Sequence, residues 1–341
     1  MYLMNKGQIF RIISGVMIAI IVVILVALFV GDDDASVNVD IDMSVPYSDT
    51  SNWMSFLSDD AYLSEITLPG THDSCTQNVI FGFAARCQDT DISQQLQDGY
   101  RYLDLRVAVD ESDDGNKLKL VHGVVNCHVS GNLFSDYLHL QDVTDSIYTF
   151  LQDHPQETVM VNVKMEDDDH TAAEVQKLLM EEVKANKDIW YTGADIPTLG
   201  EVRGKVVLAT RFSDKDSASV AGLRMPWADQ GNITPADIPY ELYVNDSFRM
   251  WVQDKYKYSV ENKYDAVVDG LENCEADSGT FFLNFVSTAG DGKLGHPKGY
   301  ASTLNDLILE YDLKDNTSYG IIIVDFGTPD LARHIYYTNS F

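Results

Sequence analysis

Two histidines, two arginines and a lysine recur in one setting in this chain, just past short runs of apolar and β-branched residues. His72 and Asp73 follow Ile66-Thr67-Leu68 and a Pro-Gly turn, Asp104 and Arg106 lie two apart in the run Tyr102–Val107, and His122 follows Leu118–Val121. Lys164 follows Thr158–Val163, Arg211 follows Val206–Thr210, Asn284 sits in Phe281–Val286, and Asp325 follows Ile321–Val324. A pair of imidazoles is the natural acid and base near neutral pH, because free imidazole titrates around ~6.5. Guanidinium and ammonium groups bring forked and point positive charge to a phosphate. Asp325 can orient one imidazole as in a catalytic triad, and Asp73 can pair with the other. The chain has no Gly-x-Ser-x-Gly elbow, which argues against a serine nucleophile. The set therefore points to phosphoryl transfer by two histidines, with positive charge stabilising the phosphorane-like state and the nucleophile supplied by the substrate.

A lone histidine beside a strand is more often an ordinary, satisfied polar group than a catalyst. Recurrence at strand after strand is the stronger signal. A solvated rim would also be polar, but it would not select these cations from a chain with 24 basic residues against 53 acidic ones.

The elements that must position these residues follow from hydrophobic period. Between the apolar runs lie helical patterns: Ile92–Gln97 with Asp91 as its cap, Val143–Leu151, Ala172–Val183 and Leu304–Tyr311, with apolar positions three and four apart. Near-continuous apolar strands alternating with helices predict a parallel sheet covered by helices. No Gly-rich phosphate loop follows the first strand, so a distorted or incomplete (β/α) barrel of the TIM type is preferred over a doubly wound sheet. In such a barrel the functional residues stand at the C-terminal strand ends, where the polar set falls.

Composition narrows the partners. A net charge of −29 excludes a nucleic-acid binder and opposes electrostatic docking on an anionic membrane, while 45% hydrophobic residues supply a substantial core. Residues 12–30 carry no charge, and at 1.5 Å per residue they match the ~30 Å hydrocarbon core. Lys6 and Arg11 precede this stretch and Asp32, Asp33 and Asp34 follow it, so the positive-inside rule places the rest of the chain outside the cytoplasm. The expected organisation is a cytoplasmic tail over 1–11, an uncleaved transmembrane signal anchor over 12–30, an acidic linker over 31–50 and one catalytic domain over 51–341. Secretion after signal cleavage is the alternative. Cys75, Cys87, Cys127 and Cys274 permit two disulfides, with Cys87–Cys127 favoured because both follow strands expected to be neighbours.

The runs LPGTHDS, QLQDGYRYLDLR, LVHG and DHPQETVMVNVK, continuing through GKVVLATRFS, WVQDKYK, FFLNFVST and IIIVDF, closely resemble bacterial phosphatidylinositol-specific phospholipase C over roughly 53–341. The resemblance implies a distorted, incomplete TIM barrel that cleaves phosphatidylinositol to diacylglycerol and inositol 1,2-cyclic phosphate. By position it implies His72 as general base with Asp325 orienting it, His122 as general acid assisted by Asp73, and Arg106 on the phosphate supported by Asp104. Lys164, Arg211, Asp254 and Tyr256 match positions that hold the inositol ring, and Asn284 joins this substrate-binding set. Calcium-dependent relatives carry a carboxylate at the position of Arg106 and an Asn just after the first catalytic histidine; Arg106 and Asp73 stand there instead, which implies catalysis without a metal or other cofactor.

The expected partners are phosphatidylinositol or a glycosylated phosphatidylinositol lipid, and a membrane. No protein partner can be inferred. Residues 79–85, VIFGFAA, read either as a short helix packed on the barrel or as an apolar loop dipping into the bilayer. Asp167–Asp169 read as a solvated acidic loop, which is also the bland alternative for Asp104 and Glu166. Two other functions stay open: a non-catalytic module that binds inositol lipid, and a metal-dependent glycerophosphodiester phosphodiesterase. The latter needs a Glu-x-Asp ligand set near the second strand, where the chain reads Asp-Leu-Arg.

Overall fold

The computed structural model describes residues 48–80, 82–112, 115–132, 134–212, 221–231, 241–243, 248–291 and 296–340. The expected anchor at 12–30 and nearly all of the acidic linker lie outside the described residues. Among the described residues no helix is long and apolar enough to cross a membrane.

The chain runs through β1 (Leu68–Thr71), α1 (Gly82–Ala85), α2 (Ile92–Gln97), β2 (Tyr102–Asp110), β3 (Lys117–His122), β4 (Val125–Asn126), α3 (Leu140–Asp153) and β5 (Val159–Met165). It continues through α4 (Ala172–Ala185), β6 (Trp190–Tyr191), α5 (Leu199–Val202), β7 (Val206–Arg211), β8 (Leu223–Arg224), β9 (Glu241–Tyr243) and β10 (Arg249–Gln253). Last come α6 (Val260–Glu272), β11 (Thr280–Phe285), α7 (Pro297–Glu310), β12 (Ile321–Val324) and α8 (Pro329–Tyr336). The predicted helices form where their caps allow. Asp91 accepts from Gln94 N–H to start α2, and Thr171 and Glu174 make a reciprocal capping box at α4. Each such cap contributes about 1 kcal/mol.

The strand order is β6-β7-β5-β2-β1-β12-β11-β10-β9, and every neighbouring pair from β6 to β10 is parallel. The curled sheet stays open, as expected of an incomplete barrel. One edge ends in the two-residue strands β6 and β8, both on β7, and the other in β9, antiparallel to β10. No ladder among the described residues joins these edges. The Gln230 side chain covers β10 there, donating to Val252 C=O at 3.1 Å and accepting from Asp254 N–H at 2.8 Å.

One expectation fails. The third apolar run is not a parallel barrel strand. β2 is nine residues long, and after its barrel half it pairs antiparallel with β3, Val107 opposite Leu120 and Asp110 opposite Lys117. The hairpin doubles back, so β3 ends in His122 near the level of Arg106. Periodicity reads a buried strand but carries no direction, which is why the reversal is invisible in it.

Side chains alternate along each strand, and the alternation sorts the core. Leu68, Tyr102, Met160, Val207, Ala209, Met250, Val252, Phe281, Leu283, Phe285, Ile321 and Ile323 form one cluster inside the barrel. Leu103, Leu105, Val161, Val163, Val206 and Leu208 face α3 and α4, while Ile322 and Val324 face α6, α7 and α8. At Gly70 a Cβ would stand 2.9 Å from Tyr102 Cδ1 and 3.2 Å from Ile323 Cγ1, so only glycine lets β1 approach its neighbours this closely.

Candidate active site

Continuing the inward alternation one step past the core reaches the site. Leu68 and Gly70 lead to His72; Tyr102 leads to Asp104 and Arg106; Met160 and Asn162 lead to Lys164; Val207 and Ala209 lead to Arg211; Met250 and Val252 lead to Asp254; Ile321 and Ile323 lead to Asp325. The register reinforces this, with Arg106 opposite Lys164 and Lys164 opposite Arg211.

His72 Nδ1 lies 2.7 Å from Asp325 Oδ1, and the Arg106 guanidinium donates to His72 Nε2 at 2.6 Å. Arginine can only donate, so Nε2 holds a lone pair and the ring proton sits on Nδ1, shared with Asp325. His72 is thus poised to accept a proton at Nε2. On the other flank, His122 Nδ1 makes a short hydrogen bond to Asp73. Burial works against the His122 imidazolium, but the Asp73 carboxylate outweighs it and holds the ring above its ordinary pKa. His122 is therefore poised to give a proton.

Arg106 lies between the two pairs. It donates to Asp104 Oδ2 from Nε at 3.2 Å and Nη2 at 3.1 Å, to Glu166 Oε1 at 3.1 Å, and lies 3.5 Å from Asp73 Oδ2. Asp104 also accepts from Asp73 N–H at 3.2 Å. Although burial opposes its charge, Asp104 is held down to about 2, chiefly by Arg106, with help from Lys164 and that backbone donor. Asp73 adopts φ +43°, a left-handed conformation that aspartate tolerates better than most side chains and that aims its carboxylate at His122.

Farther along the mouth, the Arg211 guanidinium stacks 3.8 Å from the Trp227 ring centre and lies 3.4 Å from Asp254 Oδ2, which also accepts from Trp227 Nε1 at 2.9 Å. Tyr256 is half-buried and hydrogen-bonds Asp229; burial and that carboxylate push its hydroxyl up to about 12. Lys164 forms a short ion pair with Glu166.

Asn284 departs from the expectation. It lies between inward Leu283 and Phe285, so its side chain points out of the barrel. There it donates to Val267 C=O on α6 at 2.9 Å and accepts from Gln253 at 2.8 Å, and it is 2% exposed. It fastens a helix to the sheet and cannot touch a ligand in the mouth. Counting parity from Phe285 would have excluded it.

Glu166, for which a solvated loop was the bland alternative, joins the site. It grips Arg106 and Lys164 and accepts from Gly123 N–H at 2.6 Å, so it ties β5 to the turn after His122. Despite burial, the two cations and that donor hold it down to about 2. Its neighbour Asp167 is also no mere solvated charge, since it accepts from Val109, Asp169 and His170 N–H groups.

The favoured Cys87–Cys127 disulfide is absent; all four cysteines are free. Cys127 is buried in the outer core with Cys75, whereas Cys87 Sγ faces His122 Nδ1 at 4.0 Å. Of the segment 79–85, Phe81 lies outside the described residues; Val79, Ile80, Gly82, Phe83 and Ala84 are half-buried and only Ala85, at the end of the single turn α1, is buried.

An open parallel barrel with two imidazole–carboxylate pairs flanking one guanidinium at its C-terminal mouth defines the phospholipase C kind of TIM-type barrel. Residues 69–212 match the family described as phosphatidylinositol-specific phospholipase C, X domain. A 1-phosphatidylinositol phosphodiesterase of Staphylococcus aureus strain Newman is 31% identical over 292 residues, spanning 81% of this chain and 88% of its own length. One from Listeria monocytogenes is 26% identical over 309 residues, spanning 86% of each. Among solved structures, a mutant phosphatidylinositol-specific phospholipase C from Staphylococcus aureus superposes with TM-score 0.72 at 26% identity, over 86% of this chain and 98% of that one. This chain belongs to the phosphatidylinositol-specific phospholipase C X-domain family.

Proposed function

We propose that this protein cleaves phosphatidylinositol to diacylglycerol and inositol 1,2-cyclic phosphate without a metal ion. The observation that carries the reading is the pair of opposed imidazole–carboxylate couples on either side of Arg106. His72 Nε2 takes the proton of the inositol 2-hydroxyl, whose oxygen attacks the phosphorus. His122 gives its proton to the departing glyceride oxygen, and Arg106, released from His72 by the substrate, holds the phosphate oxygens. Asp325 and Asp73 fix the two rings. Asp104 holds Arg106 in place, while Lys164, Arg211, Asp254 and Tyr256 supply donors, acceptors and a ring face for inositol.

Metal independence is supported by Arg106, whose guanidinium already lies among the carboxylates of Asp73, Asp104 and Glu166, where a calcium ion would otherwise be drawn. The retained acid, base and cation favour turnover over an inositol-lipid-binding module. The metal-dependent glycerophosphodiesterase reading lacks its ligand set at Asp104-Leu105-Arg106.

The membrane contact we propose lies beside His122. Gly123 and Val124 form the tip of a two-residue turn, since His122 pairs with Val125 and Gly123 has φ +56°. Val124 is 99% exposed and Phe134, farther along the same connection, is 93% exposed. A valine at a hairpin tip next to the acid is suited to enter a bilayer from which the substrate is taken. The catalytic domain would work outside the cytoplasm, anchored by 12–30 or freed by cleavage; its partition between membrane and medium separates the two.

The test is phosphorus NMR of products from phosphatidylinositol vesicles, with and without EDTA. A cyclic phosphate formed equally in both is expected. No product, or loss of rate restored by calcium, refutes the reading.

A further inference from the structure

Cys87 has no part in the reaction above, yet it sits between both catalytic pairs. The residue is 2% exposed, and its backbone is pinned from two sides: Cys87 N–H donates to Thr76 Oγ1 at 2.9 Å and its C=O accepts from Phe326 N–H at 2.7 Å. Two sets of ligand atoms share that one sulfur. His72, Cys87 and Asp325 form one, and Asp73, Cys87 and His122 form the other, with all atoms in each within 4.8 Å of one another.

We propose that Cys87, His122 and Asp73 form a site for a thiophilic divalent cation such as Zn2+, and that its occupation switches the enzyme off. Zinc binds sulfur at ~2.3 Å and nitrogen or carboxylate oxygen at ~2.0–2.2 Å, in tetrahedral geometry. Its ligands therefore stand about 3.5 Å apart, so the sulfur at 4.0 Å from His122 Nδ1 needs only a small approach. The His122 set is favoured over the His72 set because the His122 side chain is 29% exposed against 15%. Sulfur and imidazole select zinc or cadmium over calcium and magnesium.

Local charge permits a cation despite Arg106. Arg106 and Lys164 contribute two positive charges, and Asp73, Asp104, Glu166 and Asp325 four negative ones. Binding releases the Cys87 thiol proton to solvent, so with neutral histidines and the thiolate counted the group carries an excess of three negative charges, of which a dication balances two. An ion on His122 Nδ1 displaces the proton held there and takes the Asp73 carboxylate, so the ring cannot serve as acid. The inhibition, but not the binding, rests on the mechanism proposed above.

The experiment titrates the full chain with Cd2+ and follows the ultraviolet thiolate-to-cadmium charge-transfer band, with Zn2+ as competitor. Activity is measured in parallel with Zn2+ and after EDTA. The band is expected in the parent and in Cys274→Ala. In Cys87→Ala it should be lost, and in His122→Gln the affinity should fall at least about tenfold. Zn2+ should inhibit the parent reversibly and leave Cys87→Ala at its own metal-free rate. Absence of the band in the parent overturns the site, and so does a band or inhibition unchanged in Cys87→Ala. Should Cys87→Ala not fold, Cys87→Val serves for the same comparison. A band lost in Cys87→Ala but without inhibition of the parent upholds the site and counts instead against His122 as the acid.

Discussion

Replacing Asp73 by asparagine separates the charge that sustains His122 from the geometry that places it. Asparagine is nearly isosteric and tolerates the φ of +43° found here, so the turn after β1 persists. The amide still reaches His122 Nδ1 but brings no negative charge. In the native site burial favours the neutral ring, Asp73 overrides it, and nearby Arg106 adds to the opposition. With Asp73 neutral, burial and Arg106 act unopposed except by the weaker pull of Glu166, and the pKa of His122 falls from above the ordinary imidazole value to below it.

A single opposed charge at contact distance moves a pKa by about 1–3 units, so the alkaline limb of the rate profile should shift down by that amount. Each unit reduces the protonated acid about tenfold at pH above both values, or about 1.4 kcal/mol. Arg106 keeps Asp104 and Glu166, so its position changes little. The assay is kcat/KM on phosphatidylinositol in detergent micelles across pH, with NMR titration of the imidazole in the same variant. An alkaline limb left in place, or a rate lost equally at every pH, would refute the assignment of His122 as an acid charged by Asp73.

Arg106→Gln should lower kcat by about 10²–10³ with a smaller effect on KM, as for loss of a charge-stabilising donor, and Arg106→Lys should recover only part because it lacks the fork; equal kcat in all three forms would remove Arg106 from the phosphate. Glu166, whose pKa falls from 4.5 to about 2, contributes roughly 3 kcal/mol of stability that is present above the unfolded pKa and lost as pH drops through about 2. Glu166→Gln should therefore lower urea stability at pH 7 by up to that amount and flatten its fall between pH 5 and about 2; an unchanged midpoint would show that the carboxylate bears no load. Changing Val124 and Phe134 together to serine should weaken binding to phosphatidylinositol vesicles while leaving the rate on a soluble, short-chain substrate intact, and unaltered binding would move the membrane contact elsewhere.

Much of the site is legible in the chain because a strand's alternation is strictly local. Once Met160 or Val207 is known to face inward, Lys164 and Arg211 must follow, and His72, Asp104, Arg106 and Asp325 obey the same count. Asn284 was misread only where that count was not made. The caps of α2 and α4 are equally local, each set by an oxygen within three residues of the amide it receives.

Direction and proximity between distant segments were decided by the tertiary structure. That β3 runs backward, delivering His122 from a hairpin, depends on how the long β2 outgrows the barrel and pairs beyond it. That Glu166 turns to Arg106 and Lys164 instead of solvent depends on charges brought together across strands. That Cys87 points at an imidazole and not at Cys127 depends on the packing of two loops about the mouth. Hydrophobic period and turn chemistry report which face of an element is buried; the partner on that face is fixed only when the whole chain closes around it.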